Sequence, residues 1–157
     1  MHNHRQHLIL ACLLLFFIFQ CLRAQIPMVK NHQATDYDGE LQNWCGTQLK
    51  SGVMCFANNN GVLTFDGYTW QNFKMPGSHI VRSVLAQGDT IFAGSFQEFG
   101  YFVKNREGNR TYRSLSAQIK PEKIVNNEFW SVVRIGNDVY FQSFEQIFRF
   151  NKATGKV

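Results

Sequence analysis

The chain is poor in the residues that make chemistry. Beyond its first two dozen residues it holds two histidines, His32 and His79, and two cysteines, Cys45 and Cys55. Two histidines are too few for a histidine-based metal centre, and neither lies near a Ser or Cys in a nucleophile motif. No CxxC occurs, so structural zinc has no support. The sequence therefore offers no catalytic residues, no metal site and no cofactor, and the chain is not expected to be an enzyme by itself. Long windows rich in Leu, Ala, Glu and Lys are also missing after the start of the chain, which argues against helices. Charge of one sign is not concentrated anywhere. The formal net charge is +5, Arg5 and Arg23 belong to the first two dozen residues, and the densest basic stretch, Lys104 to Arg113, is interrupted by Glu107. That stretch reads as a solvated turn, and no nucleic-acid partner is expected.

One long hydrophobic run is present. Met1 to His7 is polar and carries Arg5, Leu8 to Leu22 is almost unbroken, and Arg23, Ala24 and Gln25 follow. The run falls short of the roughly 20 residues that cross a bilayer as a helix. This three-part layout predicts a helical signal peptide over residues 1–24, cleaved between Ala24 and Gln25. Two alternatives stay open: Cys21 as a lipid-attachment site, and an uncleaved anchor, since Leu22 is large for its position. Each of them exports the rest of the chain. In an oxidising compartment Cys45 and Cys55 could form a disulfide, because the nine residues between them suit a hairpin; two separately buried thiols are the other reading.

Residues 25–157 repeat an order of strand and turn. The first copy opens at Asn43-Trp44, turns at Ser51-Gly52, runs through Val53 to Ala57, turns at Asn58 to Gly61, and continues with Val62 to Asp66 and Thr69 to Phe73. The second places strands at Ile80 to Ala86, Thr90 to Ala93, Gly100 to Val103 and Thr111 to Leu115. The third has Phe129 to Ile135, Val139 to Gln142 and Ile147 to Phe150, then a turn to Lys156. Each run is short, rich in aromatic and β-branched residues, and bounded by Gly, Asn or Asp, which predicts antiparallel hairpins. The first strands, marked by Trp44, Arg82 and Trp130, recur at a spacing near the roughly 40 to 50 residues of a propeller blade. The fold expected is all-β: a partial β-propeller of four-stranded antiparallel blades, over about 42–74, 80–116 and 129–157, with the third lacking its last strand. A propeller needs at least about four blades, so this is expected to be an incomplete propeller domain.

The wording of the repeats, "ANNNGVLTFDGYTW" from Ala57 to Trp70, "VRSV" at Val81 to Val84 and "AGSFQEFGYF" from Ala93 to Phe102, resembles the two-component-regulator propeller repeats. The resemblance covers about Ile26 to Phe150. The third copy departs from it, with Gln146 in place of Gly61 and Asn151 in place of Asp66. The resemblance implies a periplasmic sensor that detects a small molecule or glycan and signals through a membrane helix to a LuxR-type DNA-binding domain or a histidine kinase. Those parts, and a triple-tyrosine module, are absent from this polypeptide. Two other readings are a fragment of a secreted propeller-type carbohydrate-active enzyme or lectin, and a non-functional remnant.

No ligand-contact residue is identified from the sequence. Trp44, Trp70 and Trp130 could stack on sugar rings, but the matching positions of Trp44 and Trp130 favour packing between blades. Asn58 to Gly61 and Asp66-Gly67 read as tight turns. Asp36, Asp38 and Glu40 lack a calcium-loop pattern and read as an exposed loop. Asn109-Arg110-Thr111 fits a glycosylation acceptor, which in a bacterial protein is chance.

Overall fold

Short side chains that fold back on their own backbone set where each strand stops. Asp66, Asn105 and Asn151 follow or end the third strand of each repeat. Each accepts two backbone N–H groups of the turn beyond it: Tyr68 and Thr69 on Asp66 Oδ1 at 2.8 and 2.6 Å, Glu107 and Asn109 on Asn105, and Ala153 and Thr154 on Asn151. Asn151, which departs from the repeat wording, thus makes the same turn as Asp66. The computed structural model that shows this describes residues 28–77 and 80–157, together with His4, Gln6, His7, Leu10 and Leu13. Most of the apolar run from Leu8 to Leu22, the Ala24-Gln25 position where cleavage is expected, Cys21 and His79 lie outside the described residues.

The chain divides into two units, Met1–Asn31 and His32–Val157. In the first, the five described residues up to Leu13 are helical. Among the described residues, no helix is long and apolar enough to cross a membrane. Among its described residues the second unit carries a four-residue helix, α1 (Ala34–Tyr37), and eleven strands in three antiparallel meanders. The first sheet is β1 (Asn43–Gln48), β2 (Met54–Asn58), β3 (Gly61–Phe65) and β4 (Trp70–Phe73). The second is β5 (Val81–Gln87), β6 (Thr90–Ser95), β7 (Phe99–Lys104) and β8 (Arg110–Ser114). The third is β9 (Ser131–Ile135), β10 (Asp138–Gln142) and β11 (Ile147–Asn151). These strands lie within a few residues of those expected from the sequence. Short 3₁₀ turns at Ser116–Gln118 and Pro121–Lys123 lie in the connection from β8 to β9.

The three sheets stack face to face in chain order. Alternation along β6 shows how: Ile91 and Ala93 point into the layer shared with the first sheet, and Phe92 into the layer shared with the third. The first layer is aliphatic and small, with Cys55, Ala57, Val62, Val81 and Val84. The second is aromatic: Phe99 lies 4.6 Å from both Phe129 and Phe141, centroid to centroid. Gly94 permits this layer, because a Cβ there would sit 2.7 Å from that of Phe129. The edge strand β5 donates its Val84 and Ala86 N–H groups to Cys45 Sγ and Thr47 Oγ1 of β1, each at 3.2 Å, so its open edge is satisfied by the neighbouring sheet.

Cys45 and Cys55 are both free thiols, and the disulfide left open by the sequence is not made. Register explains it. Cys45 pairs with Ala57 and Cys55 with Thr47, a diagonal relation that puts Cα atoms about 7–8 Å apart, beyond the reach of a bridge.

The outer face of the first sheet, bearing Phe56, Leu63, Phe65 and Trp70, is covered by a strap of residues 32–42. Trp70 stacks on Phe65 at 4.5 Å and meets His32 and Tyr37, and Leu63 is fully buried. Asn58 pins the strap. Its Nδ2 donates to Glu40 O, Gln42 O and Asn43 Oδ1, and its Oδ1 accepts from the N–H groups of Glu40 and Asn60, all between 2.7 and 3.0 Å. Every polar valence of this buried amide is used. Replacing Asn58 by Ala strands the Glu40 N–H and two carbonyls at once, so a loss of about 2–3 kcal/mol is expected. Urea denaturation measures it, and limited proteolysis should cut residues 32–42 faster in N58A than in the parent chain.

Candidate functional site

Two β-bulges aim side chains out of the sheets. In β1 the register skips Trp44, between Asn43 and Cys45, and in β5 it skips Arg82, between Val81 and Ser83. An extra residue on one strand redirects its side chain and flips the alternation after it, which is why Val81 and Val84 share one layer despite their odd spacing. Trp130 stands just before β9, held by its N–H to Gln142 O at 2.9 Å. These three residues come from equivalent points of the first strands and meet at one rim of the stack.

The Arg82 guanidinium lies over both indoles, 4.0 Å from the Trp44 ring and 4.9 Å from that of Trp130. The indoles themselves meet edge to face at 5.7 Å. Arg82 Nε donates to Glu128 in an ion pair, and Glu128 is positioned by a bridge between its backbone and Phe96. Trp44 Nε1 donates to Asn59 Oδ1 at 2.7 Å. The arginine side chain is 14% exposed, so its interactions with the rings and the carboxylate act partly out of water.

The turns from second to third strand share this rim. Two of them carry exposed phenylalanines, Phe96 after β6 and Phe144 after β10. Phe144 is 87% exposed and packs at 5.5 Å on Trp130. The first sheet has Asn59 in the equivalent turn. The signal that could have found these residues is the recurrence of Ser95-Phe96 and Ser143-Phe144, two matching dipeptides at matching turns. Both serines hold their turns. Ser95 Oγ donates to Ile80 O, and Ser143 Oγ lies within hydrogen-bond reach of Asn127 Oδ1 and the Gln146 backbone.

The remaining residues weighed in the sequence lie elsewhere. Trp70 is under the strap, away from Trp44 and Trp130. Asp36 accepts the Gln33 N–H at 2.9 Å, Asp38 ends α1, and Glu40 is held through its backbone by Asn58. Among the described residues no cluster of His, Cys, Asp and Glu could hold a metal ion. Glu98 spends its carboxylate on Tyr112, Ser114 and Ser116, at 2.6 to 2.8 Å, closing the end of the second sheet. Asn109 is exposed in the turn before β8.

Substituting Arg82 by Ala removes the partner of both rings and leaves Glu128 half-buried without a counter-charge. A loss of about 2–3 kcal/mol is expected, together with a changed near-ultraviolet circular dichroism from the two indoles that lose their cation. A second expectation concerns pH. Burial pushes the Cys55 thiol up to about 11 and raises Cys45, and burial together with the Glu98 carboxylate raises the Tyr112 phenol. From about pH 9 the unfolded chain releases thiol protons that the folded chain keeps. Stability is therefore full below that pH and falls as pH rises toward about 11. Cys55 accounts for about 2–3 kcal/mol of the loss, and urea denaturation of C55A over the same range should show a shallower decline.

No family model and no curated protein matches the chain. Among the solved structures similar to it are two of the extracellular domain of BT4673 from B. thetaiotaomicron. One is described as a hybrid two-component system, at 18% identity, covering 73% of this chain and 21% of that one with a TM-score of 0.38. The other, described as a one-component system, shares 16% identity over the same fractions with a TM-score of 0.36. This chain spans about a fifth of the length of those it matches.

Proposed function

We propose that this chain supplies the first blades of an extracytoplasmic β-propeller that senses a small-molecule or glycan ligand, as the part of a longer, membrane-anchored signalling protein of the kind its repeat wording resembles. The observation that carries the reading is the stacking of consecutive meanders. β1 packs beside β5 and β5 beside β9, while the outer strands β4 and β8 have no comparable approach. Sheets that converge on their first strands and diverge at their last form wedges, and wedges repeated around an axis make a propeller.

The free face of the third sheet supports the same reading. Val133, Ile135 and Ile147 are exposed there, on the side that in each preceding sheet is buried against the next. The Trp44, Arg82 and Trp130 rim is where the ligand would be met, since it joins residues at the starts of the first strands of all three sheets and is flanked by exposed rings. Binding, and no bond-making step, is assigned to this chain; signal output belongs to the longer protein.

Export is tested by fusing alkaline phosphatase after Lys30 in a Gram-negative host. Activity in the periplasm is expected, and enzyme retained inactive in the cytoplasm would overturn the extracytoplasmic reading. Sequencing the gene past the codon for Val157 tests the rest: further meanders, a membrane helix and an output domain are the expected result.

A further inference from the structure

The rim has more hydrogen-bond donors than acceptors. Arg82 uses Nε on Glu128, but Nη1 and Nη2 have no hydrogen-bond partner among the described residues and are not among the buried unpartnered atoms. Trp130 Nε1 is buried without a partner. Asn59 uses its carbonyl on Trp44, and its amide nitrogen donates to nothing among the described residues. Against these donors stands one carboxylate, Glu128, already committed to Arg82.

The guanidinium is also fixed in place. Rings cover it at 4.0 and 4.9 Å, the ion pair at Nε stops rotation in its plane, and the free edge is the pair of terminal nitrogens. That edge matches two coplanar oxygens, and holding it still in advance removes the ordering cost that a free arginine would bear. Phe144, 87% exposed, and Trp44, 36% exposed, offer apolar surface beside it.

We infer that the rim is a binding site for a small carboxylate whose body is a ring: the two carboxylate oxygens on Arg82 Nη1 and Nη2, and the ring against Phe144 and Trp44. The inference rests on the reading of the chain as a ligand-sensing module and gives that module's ligand its chemical class. Glu128 acts as a positioning residue that orients Arg82 and, by its charge, weakens the anion's hold.

The test is titration of the full chain, followed by the indole N–H resonances of Trp44 and Trp130. The probes are benzoate and glucuronate, each against its uncharged counterpart, benzyl alcohol and glucose. Both carboxylates should bind saturably, with the counterparts at least tenfold weaker. Arg82→Lys, which keeps the charge but loses the planar fork, should weaken carboxylates at least tenfold. Glu128→Gln retains an acceptor for Nε and should strengthen them several-fold, an effect that a merely structural role would not produce. Phe144→Ala, at a position 87% exposed, should weaken both carboxylates with little change in the melting temperature, and it keeps the test decisive if the arginine variant fails to fold. Equal binding of charged and uncharged probes, no binding of either carboxylate, or unchanged affinity in the glutamine variant overturns the inference. An active periplasmic phosphatase fusion, with further meanders and an output domain encoded past Val157, alongside any of these would leave the proposed function standing and remove only the carboxylate site.

Discussion

A sheet of short strands that is apolar on both faces cannot be stable alone, and the second sheet is of this kind. Phe92 on one side of β6 and Ile91 and Ala93 on the other require a neighbour at each face. The rest of the unit is arranged around that requirement. The first sheet brings small residues, Cys55, Ala57 and Val62, to one face. The third brings Phe141, Phe148 and Phe150 to the other. Burying each large ring is worth about 1.5–3 kcal/mol, and the hydrogen bonds within each meander are made locally, so the sequence specifies sheets by turns and their stacking by ring and methyl packing.

The strands were legible because two local signals agreed. Period-two alternation, such as Val62 and Thr64 against Leu63 and Phe65, marks the faces, and Gly, Asn and Asp mark the turns. In the structure Val62 lies in the layer shared with the second sheet and Phe65 lies under the strap. Bulges escape such a reading. One extra residue shifts parity without changing composition, so Trp44 and Arg82 look like ordinary members of their strands when they are the residues turned out to the rim. The pairing of Arg82 with two indoles from other sheets depends on stacking, which no local pattern encodes.

Other features were illegible for different reasons. The helix at Ala34–Tyr37 is a single turn, too short for any helical periodicity, and its place comes from Tyr37 and Asn58 rather than from propensity. Phe96 and Phe144 sit in turns, where an apolar residue gives no signal of its own. The two cysteines occupy adjacent strands as expected of a hairpin, but whether they could bridge depended on a two-residue offset that only the register reveals.

The strap gives the stack a direction. His32 and Tyr37 pack on Trp70 and Asn58 holds the strap down, so anything that approaches the outer face of the first sheet meets the strap and not the rings of Phe65 and Trp70. The buried amide of Asn58 therefore decides which apolar face of the stack is closed by its own chain.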